Sequence, residues 1–379
     1  MNCIGIETFG GTPVQVTFDR IISAVEPVSA SGGLYLSPGF IDLQVNGYLG
    51  VDFNDPGCSP EQIARSIRGL FASGVTRFYP TVITGSPAGM LGALRNLKCA
   101  QETLREGAAI DGFHVEGPHI SPDDGPRGAH PLRWVRPPDL DEFRRWQEAT
   151  GNQVRIVTLA PDWPQSLRYI EAITAEGVVA SIGHTSATAQ QLADAVSAGA
   201  TLSTHLGNGA HPVMRRHPNY LWEQLAEDRL MADFIVDGIH LPPSFLKVAL
   251  RAKTVARSVL VTDAAAPAGC PPGLYQLGEQ PVELTADNRV MLVGQDRLAG
   301  SALRMDRGVE NLMRIAGLSL ADAVSMATTN AARAGRVPGR SAGMVPGDRA
   351  DIIQFRFNKS DLSITIKATY VSGNKVYEA

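Results

Sequence analysis

The chain reads as an α/β protein: a (β/α)8 TIM-like barrel with a small β-sandwich domain formed by the N- and C-terminal segments. Three observations lead there. A short apolar, β-branched run that stops at a polar residue or a Gly/Pro break recurs eight times, helix-compatible segments lie between the runs, and the two chain ends carry short β-like runs without an amphipathic helix. In order, residues 13–18 and 21–25 read as strands ahead of Pro38, and the eight runs follow at 41–46, 76–81, 112–116, 154–160, 178–184, 201–205, 232–237 and 259–263. Segments such as 60–73, 140–150, 164–176 and 187–198 have helical character. Strands alternating with helices pair in parallel through right-handed crossovers, and eight such units favour a closed barrel over an open sheet. No GxGxxG follows the first run, which weighs against the open dinucleotide-binding sheet. Residues 273–298, with an Asp287-Asn288 turn, predict a hairpin-like insert after the eighth strand, and 304–334 predict a long helical stretch. Strand-like runs return at 352–357, 364–366 and 369–376. The expected division is therefore 1–38 and 341–379 for the small β domain and 39–340 for the barrel. A chain of 379 residues suits that plan, since such a barrel takes roughly 250 residues.

Composition narrows the function classes. With 44% hydrophobic and 19% charged residues the chain can bury a large core. A net charge of -4 without a basic face gives no footprint for nucleic acid. No apolar run reaches membrane-spanning length and the N-terminus lacks a signal-peptide pattern. The four cysteines form no CxxC or framework spacing, so reduced thiols and a cytoplasmic setting are expected.

The polar residues that end the runs carry the chemistry. All eight histidines lie between positions 114 and 240. Glu116 ends one run, His184 and His205 end two consecutive ones, and Asp263 ends the last. Taken singly, Glu116 reads as half of an ion pair, each histidine as a satisfied core residue, and Asp263 as a helix cap. Taken together they converge, because the C-terminal face of this barrel gathers residues from different strands. One carboxylate and two imidazoles leave a coordination position open, as hydrolytic rather than structural metal sites do. A carboxylate facing a water activated by that cation is what general base catalysis needs.

At this level of detail the chain resembles the amidohydrolase superfamily and, within it, the N-acetylglucosamine-6-phosphate deacetylase family. The matching stretches are SPGFIDLQVNG at 37–47, HVEGPH at 114–119, RGAH at 127–130, GHTSAT at 183–188, THLGN at 204–208, DGIHLP at 237–242, VTDAAAPAG at 261–269, LAGSAL at 298–303 and PGDRADI at 346–352. Their order and spacing make the resemblance specific. It implies Glu116, His184 and His205 as ligands of one divalent ion, with zinc favoured over iron, manganese or cobalt. It also implies Asp263 as acid/base and His130 as the group polarising the acetyl carbonyl. Ala129, Asn208, Gly209, Arg216, His240, Leu298, Ala299 and Gly300 fall at the family's substrate contacts. The implied reaction removes the N-acetyl group of N-acetyl-D-glucosamine 6-phosphate. The implied assembly is a homodimer in which Arg216 or His240 serves a neighbouring subunit. Many superfamily members carry His-x-His on the first strand and bind a second metal there; here the pair is Gln44-Val-Asn46, which favours one metal, the two amides hydrogen bonding to shape the barrel floor. The chain departs from the family at Leu206-Gly207-Asn208-Gly209-Ala210, where glycines predict a more mobile, larger pocket. Residues 211–222 and the insert at 122–127 are also unusual. A different N-acyl amino sugar, phosphorylated or not, is therefore the alternative substrate. A non-catalytic barrel scaffold is the remaining reading, although such a protein would be expected to have lost ligands that are present here.

Overall fold

Each of the eight runs becomes a strand, and the eight lie parallel in one sheet. In this computed structural model, which describes residues 1–30, 32–340 and 343–379, they are β1 (Phe40–Val45), β2 (Val75–Ile83), β3 (Phe113–Glu116), β4 (Val154–Leu159), β5 (Val179–Ile182), β6 (Leu202–Ser203), β7 (Met231–Ile235) and β8 (Ser258–Val261). Their spatial order follows the chain. The seam between the last and first strands closes just past their ends. Asp263 N–H donates to the Gln44 carbonyl at 3.0 Å and Asn46 N–H to the Ala264 carbonyl at 2.7 Å. The Thr262 hydroxyl donates to the buried Asp42 carboxylate across the same seam at 2.6 Å. β6 is short because His205 gives its backbone N–H to the Asp233 side chain at 2.5 Å and so leaves the ladder.

Several of the intervening helices start where side chains satisfy the free N–H groups of the first turn. Ser59 with Gln62 and Thr188 with Gln191 form reciprocal caps for Pro60–Phe71 and Ala189–Ser197. The predicted single stretch at 304–334 is instead three helices, Met305–Ala316, Leu320–Met326 and Thr329–Ala334. Gly317 ends the first in a left-handed conformation and Ser319 caps the second. The insert is a three-stranded antiparallel sheet, Gly273–Leu277, Gln280–Leu284 and Val290–Leu292, rather than a hairpin. Its own core explains the extra strand: Leu277, Val282, Leu284, Val290 and Leu292 are buried with Ala265 and Ala299.

Strands from both chain ends form one seven-stranded sheet around the buried side chains of Val16, Phe18, Leu36, Ile352 and Tyr370. The ends join where Tyr35–Pro38 pairs antiparallel with Ile352–Asn358. Asn2–Glu7 and Tyr35–Pro38 are strands that periodicity did not reveal. The boundary expected at 341 lies outside the described residues. No helix among the described residues is long and apolar enough to cross a membrane.

Inside the barrel, layers change character along the strands. Ile41, Leu43, Tyr79, Ile156, Val179 and Val259 form an apolar floor with Ala331 of the last helix and Val337 just past it. One layer higher, His114 lies 3.0 Å from the Leu43 carbonyl and 2.7 Å from the Thr158 hydroxyl, which continues to Thr204 and Ser181. Burial lowers His114 to about 4, so this layer is polar but uncharged. The cavity opens above it.

The barrel is tied to the small domain by buried charge. Asp351, fully buried, accepts from Arg77 Nε at 2.6 Å and Arg349 Nε at 2.7 Å. Burial opposes its ionisation, but the charges of Arg349, Arg77 and Arg340 hold it below the usual carboxylate range. Asp351→Asn, which removes the buried carboxylate that Arg77, Arg340 and Arg349 share, is expected to cost about 3–5 kcal/mol. A urea midpoint equal to that of the parent protein would contradict this.

Candidate active site

The β3 strand delivers Glu116 into a cavity of ≈ 450 Å³ at the C-terminal mouth of the barrel. His184 and His205 arrive from just past β5 and β6, and Asp263 from just past β8. All four side chains are buried. Three of them, His184, His205 and Asp263, sit at positive φ of 52°, 30° and 50°. Such backbone costs about 1–3 kcal/mol per residue outside glycine and persists only where the surroundings hold it. Here the strand end must turn sharply for the side chain to face the axis.

Glu116 Oε1 lies 2.9 Å from His205 Nε2 and 3.3 Å from His184 Nε2, and the two Nε2 atoms are 3.1 Å apart. Ligands about 2.0–2.1 Å from a tetrahedral zinc-like ion lie roughly 3.3 Å from one another, so the triangle has the required size. Its chemistry fits as well. His184 Nδ1 donates to the Pro126 carbonyl at 2.7 Å, which leaves its Nε2 lone pair aimed at the triangle. Two Nε2 lone pairs facing each other at 3.1 Å would repel, so one ring must carry a proton or both must share a cation. His205 departs from the usual pattern, since its buried Nδ1 has no partner. Glu116, His130 and His184 also present ligand atoms within 4.8 Å of one another. The structure thus brings together the three residues expected as ligands, with no separation above 3.3 Å, and sets His130 beside them.

Ionisation follows from these contacts. Burial alone would raise Glu116, but hydrogen bonds and charge from His184 and His205 hold it well below the carboxylate range. Burial opposes a proton on His205, yet the Glu116 hydrogen bond and charge raise it to about 9. Burial, reinforced by the Glu116 charge, raises Asp263 to about 6, against the opposing influence of His205, His240 and Asn46. Burial and the neighbouring His184 lower His130 to about 3, so its ring is neutral.

Gln44 and Asn46 act at the wall of the site rather than at the floor. Gln44 Nε2 donates to Glu116 Oε1 and to Asp263 Oδ1, each at 3.0 Å, and Asn46 Nδ2 donates to Asp263 Oδ1 at 2.6 Å. The amides thus present donors to both carboxylates, while Gln44 Oε1 and Asn46 Oδ1 are buried without a partner among the described residues.

His130 stands beside His184, with ring centroids 4.4 Å apart. Ala129, Asn208, Gly209, His240, Leu298, Ala299 and Gly300 line the cavity. His240 Nδ1 donates to Asp237 Oδ2 at 2.6 Å, which leaves Nε2 as the free face of the ring. Arg216 is exposed and does not line the cavity of a single chain. The glycines at 207 and 209 do not leave open space. A Cβ on Gly209 would lie 2.6 Å from His184 Nδ1, and one on Gly207 would lie 2.6 Å from the Phe245 ring. They let the loop pack against His184 and Phe245, instead of enlarging the pocket. The 122–127 insert likewise supports the site, since its Pro126 carbonyl orients His184.

Several site residues escaped sequence reasoning. Arg289 and Arg297 line the cavity from the small inserted sheet. Arg297 also donates to the Gly128 carbonyl and to Asp124 Oδ1, both at 2.8 Å, clasping the 122–130 segment. Thr84, just past β2, lies 2.8 Å from His130 Nδ1. The Asp287-Asn288 turn located the insert, but no local signal placed its arginines over another loop.

Residues 35–376 match the model of the amidohydrolase family. The N-acetylglucosamine-6-phosphate deacetylase of Bacillus subtilis (strain 168) is 35% identical over 329 residues, covering 86% of this chain and 82% of the relative. The Homo sapiens protein of that name is 36% identical over 363 residues, covering 92% and 85%. The crystal structure of N-acetyl-D-glucosamine-6-phosphate deacetylase from Mycobacterium smegmatis superposes with a TM-score of 0.88 at 30% identity, over 100% of both chains.

Because a cation must displace the proton that His205 otherwise keeps below pH 9, metal uptake by metal-free protein near neutral pH is expected to release about one proton. Apparent affinity should then rise with pH, about tenfold per unit, until the pH passes the His205 value. Calorimetric titration in buffers of different ionisation enthalpy checks this, and uptake without proton release would contradict it.

Proposed function

The chain belongs to the amidohydrolase family, and from that premise we propose that it is a metal-dependent amide hydrolase acting on N-acetyl-D-glucosamine 6-phosphate. The products are glucosamine 6-phosphate and acetate. The observation that carries this reading is the Glu116–His184–His205 triangle with Asp263 and His130 in the same cavity, in a chain whose relatives across most of its length bear that name.

Glu116, His184 and His205 would hold one divalent ion, zinc before iron, manganese or cobalt. When bound, such an ion lowers the pKa of water and polarises an acyl carbonyl. The remaining work falls to the chain. Asp263, ionised above about pH 6, accepts a proton as the water oxygen attacks the acetyl carbon. Gln44 and Asn46 hold its carboxylate by two amide donors. Neutral His130 donates to the carbonyl oxygen as negative charge develops there. Asp263 then returns its proton to the sugar nitrogen as the C–N bond breaks, so the amine leaves neutral. Leu298, Ala299 and Gly300 form the sugar side of the cavity, and Asn208, Gly209 and His240 line it on the loop side.

The position of Arg216 outside the single-chain cavity supports a homodimer in which this guanidinium reaches the phosphate bound by the neighbouring subunit. Val213, 86% exposed, and Trp222, 50% exposed, flank it with apolar surface of the kind an interface covers. The same observation motivates the second reading, a deacetylase of another N-acyl amino sugar. A cytoplasmic setting is part of the proposal and is supported by four unpaired cysteines, Cys3, Cys58, Cys99 and Cys270.

Steady-state rates on phosphorylated and unphosphorylated N-acetylglucosamine test the substrate. A preference for the phosphate ester is expected, and equal kcat/KM would favour the second reading. Asp263→Asn should retain the metal while kcat falls about 10²- to 10⁴-fold. Undiminished turnover in that variant would contradict the acid/base role.

A further inference from the structure

Arg297 stands where the inserted sheet meets the cavity. Its backbone is fixed in that sheet, because Leu292 N–H donates to the Arg297 carbonyl and Ala299 N–H to the Val290 carbonyl, each at 2.9 Å. Leu298, Ala299 and Gly300, which line the cavity, follow it directly in the chain. Its guanidinium crosses to the 122–130 segment, donating from Nη1 to the Gly128 carbonyl and from Nη2 to Asp124 Oδ1, both at 2.8 Å. Arg127 donates to the same Asp124 oxygen and to the His130 carbonyl, each at 3.0 Å. The carbonyls on either side of Ala129 are thus each held by a guanidinium, and the two guanidiniums meet at one carboxylate. Ala129 itself packs against the core of the insert.

The 122–130 segment has little stiffness of its own. Its internal backbone bonds are turns, from Arg127 to Asp123, Gly128 to Gly125 and His130 to Arg127, at 3.0, 3.0 and 3.2 Å. Gly125 and Gly128 sit at positive φ of 96° and 59°, and glycine loses more conformational freedom on ordering than any other residue. The Asp124 side chain is 72% exposed, so its ion pairs with Arg127 and Arg297 are screened and contribute little by themselves. The bond to the Gly128 carbonyl carries the geometry. A trans peptide has its C=O and N–H on opposite edges of one plane, so a fixed Gly128 carbonyl also fixes the Ala129 N–H. That N–H has no hydrogen-bond partner among the described residues. The next residue is His130, whose ring stands in the site.

We propose that Arg297 is a positioning residue that holds two walls of the cavity, Gly128–His130 and Leu298–Gly300, in one register, and so keeps Ala129 and His130 in place against the bound ligand. The inference rests on the proposed function for the identity of that ligand and for the role of His130; the tie between the walls does not depend on it. Pro126 and His130 anchor the same segment to the barrel, through His184 at 2.7 Å and Thr84 at 2.8 Å. Exposed contacts of Arg133 and Trp134 with Glu279 lie beyond His130. Among the described residues, Arg297 alone ties residues 122–130 to the insert by hydrogen bonds.

The test uses the zinc-loaded full chain. Hydrogen exchange read by mass spectrometry on peptides spanning 122–130 should quicken about tenfold or more in Arg297→Met, with peptides of β1–β8 unchanged. In the same variant, kcat/KM for N-acetylglucosamine 6-phosphate should fall about 10- to 100-fold while metal content stays at one ion per chain. Arg297→Lys, which keeps the charge and can reach one acceptor, should recover kcat/KM to within about fivefold of the parent protein. Unchanged exchange over 122–130 in Arg297→Met overturns the proposal, and a kcat/KM loss alongside it would make Arg297 a ligand contact instead. Faster exchange throughout the barrel, or loss of the ion in step with activity, also overturns it, because the arginine would then serve stability alone. So does faster exchange confined to 122–130 with kcat/KM within about twofold of the parent protein. A parent protein that hydrolyses no N-acetyl amino sugar removes the proposed function and the proposal's claim on the ligand, while local exchange in Arg297→Met still decides the tie between the walls.

Discussion

A carboxylate buried at the mouth of a barrel needs positive charge, and the rest of the site is arranged around that need. Glu116 ends an apolar strand with almost no exposure to water. Left unpaired, such a group costs several kcal/mol or loses its charge. The surrounding residues answer with two imidazoles and one amide, supplied by His184, His205 and Gln44. Each depends on a further support: Pro126 for His184, the Asp233 carboxylate for the His205 backbone, and the β1–β8 seam for Gln44. Left-handed backbone at His184, His205 and Asp263 is the conformational cost of pointing those side chains inward.

The same seam that closes the barrel places Asp263, the proposed acid/base group. Asp263 N–H bonds to the Gln44 carbonyl, while the Gln44 and Asn46 amides bond to the Asp263 carboxylate. Barrel closure and proton transfer thus use one set of residues, and a change at 44 or 46 acts on both. Above the seam, the inserted sheet and the 122–130 segment are clasped through Arg297.

The four chemical residues were legible because they interrupt periodic apolar runs: a Glu, two His and an Asp at strand ends have few structural reasons to be there. The eight strands were legible for the same reason, although β6 shortened because its last polar residues bond sideways instead of along the ladder. The helical stretch at 304–334 broke at Gly317, a residue whose effect depends on its backbone angle rather than on hydrophobic pattern. Thr84, Pro126 and Arg297 act across 46, 58 and 169 or more residues of chain, through contacts that leave no periodic trace. The glycines at 207 and 209 were visible as a departure, but only the packed His184 and Phe245 rings explain them.

We propose that Glu116, His184 and His205, and no other set, hold one cation. Anomalous diffraction at the absorption edge of the bound metal, from crystals of the loaded protein, tests it most directly. The account predicts a single peak about 2.0–2.2 Å from Glu116 Oε1, His184 Nε2 and His205 Nε2. A peak bonded to His130 in place of His205, or a second peak held by Gln44 and Asn46, would contradict it.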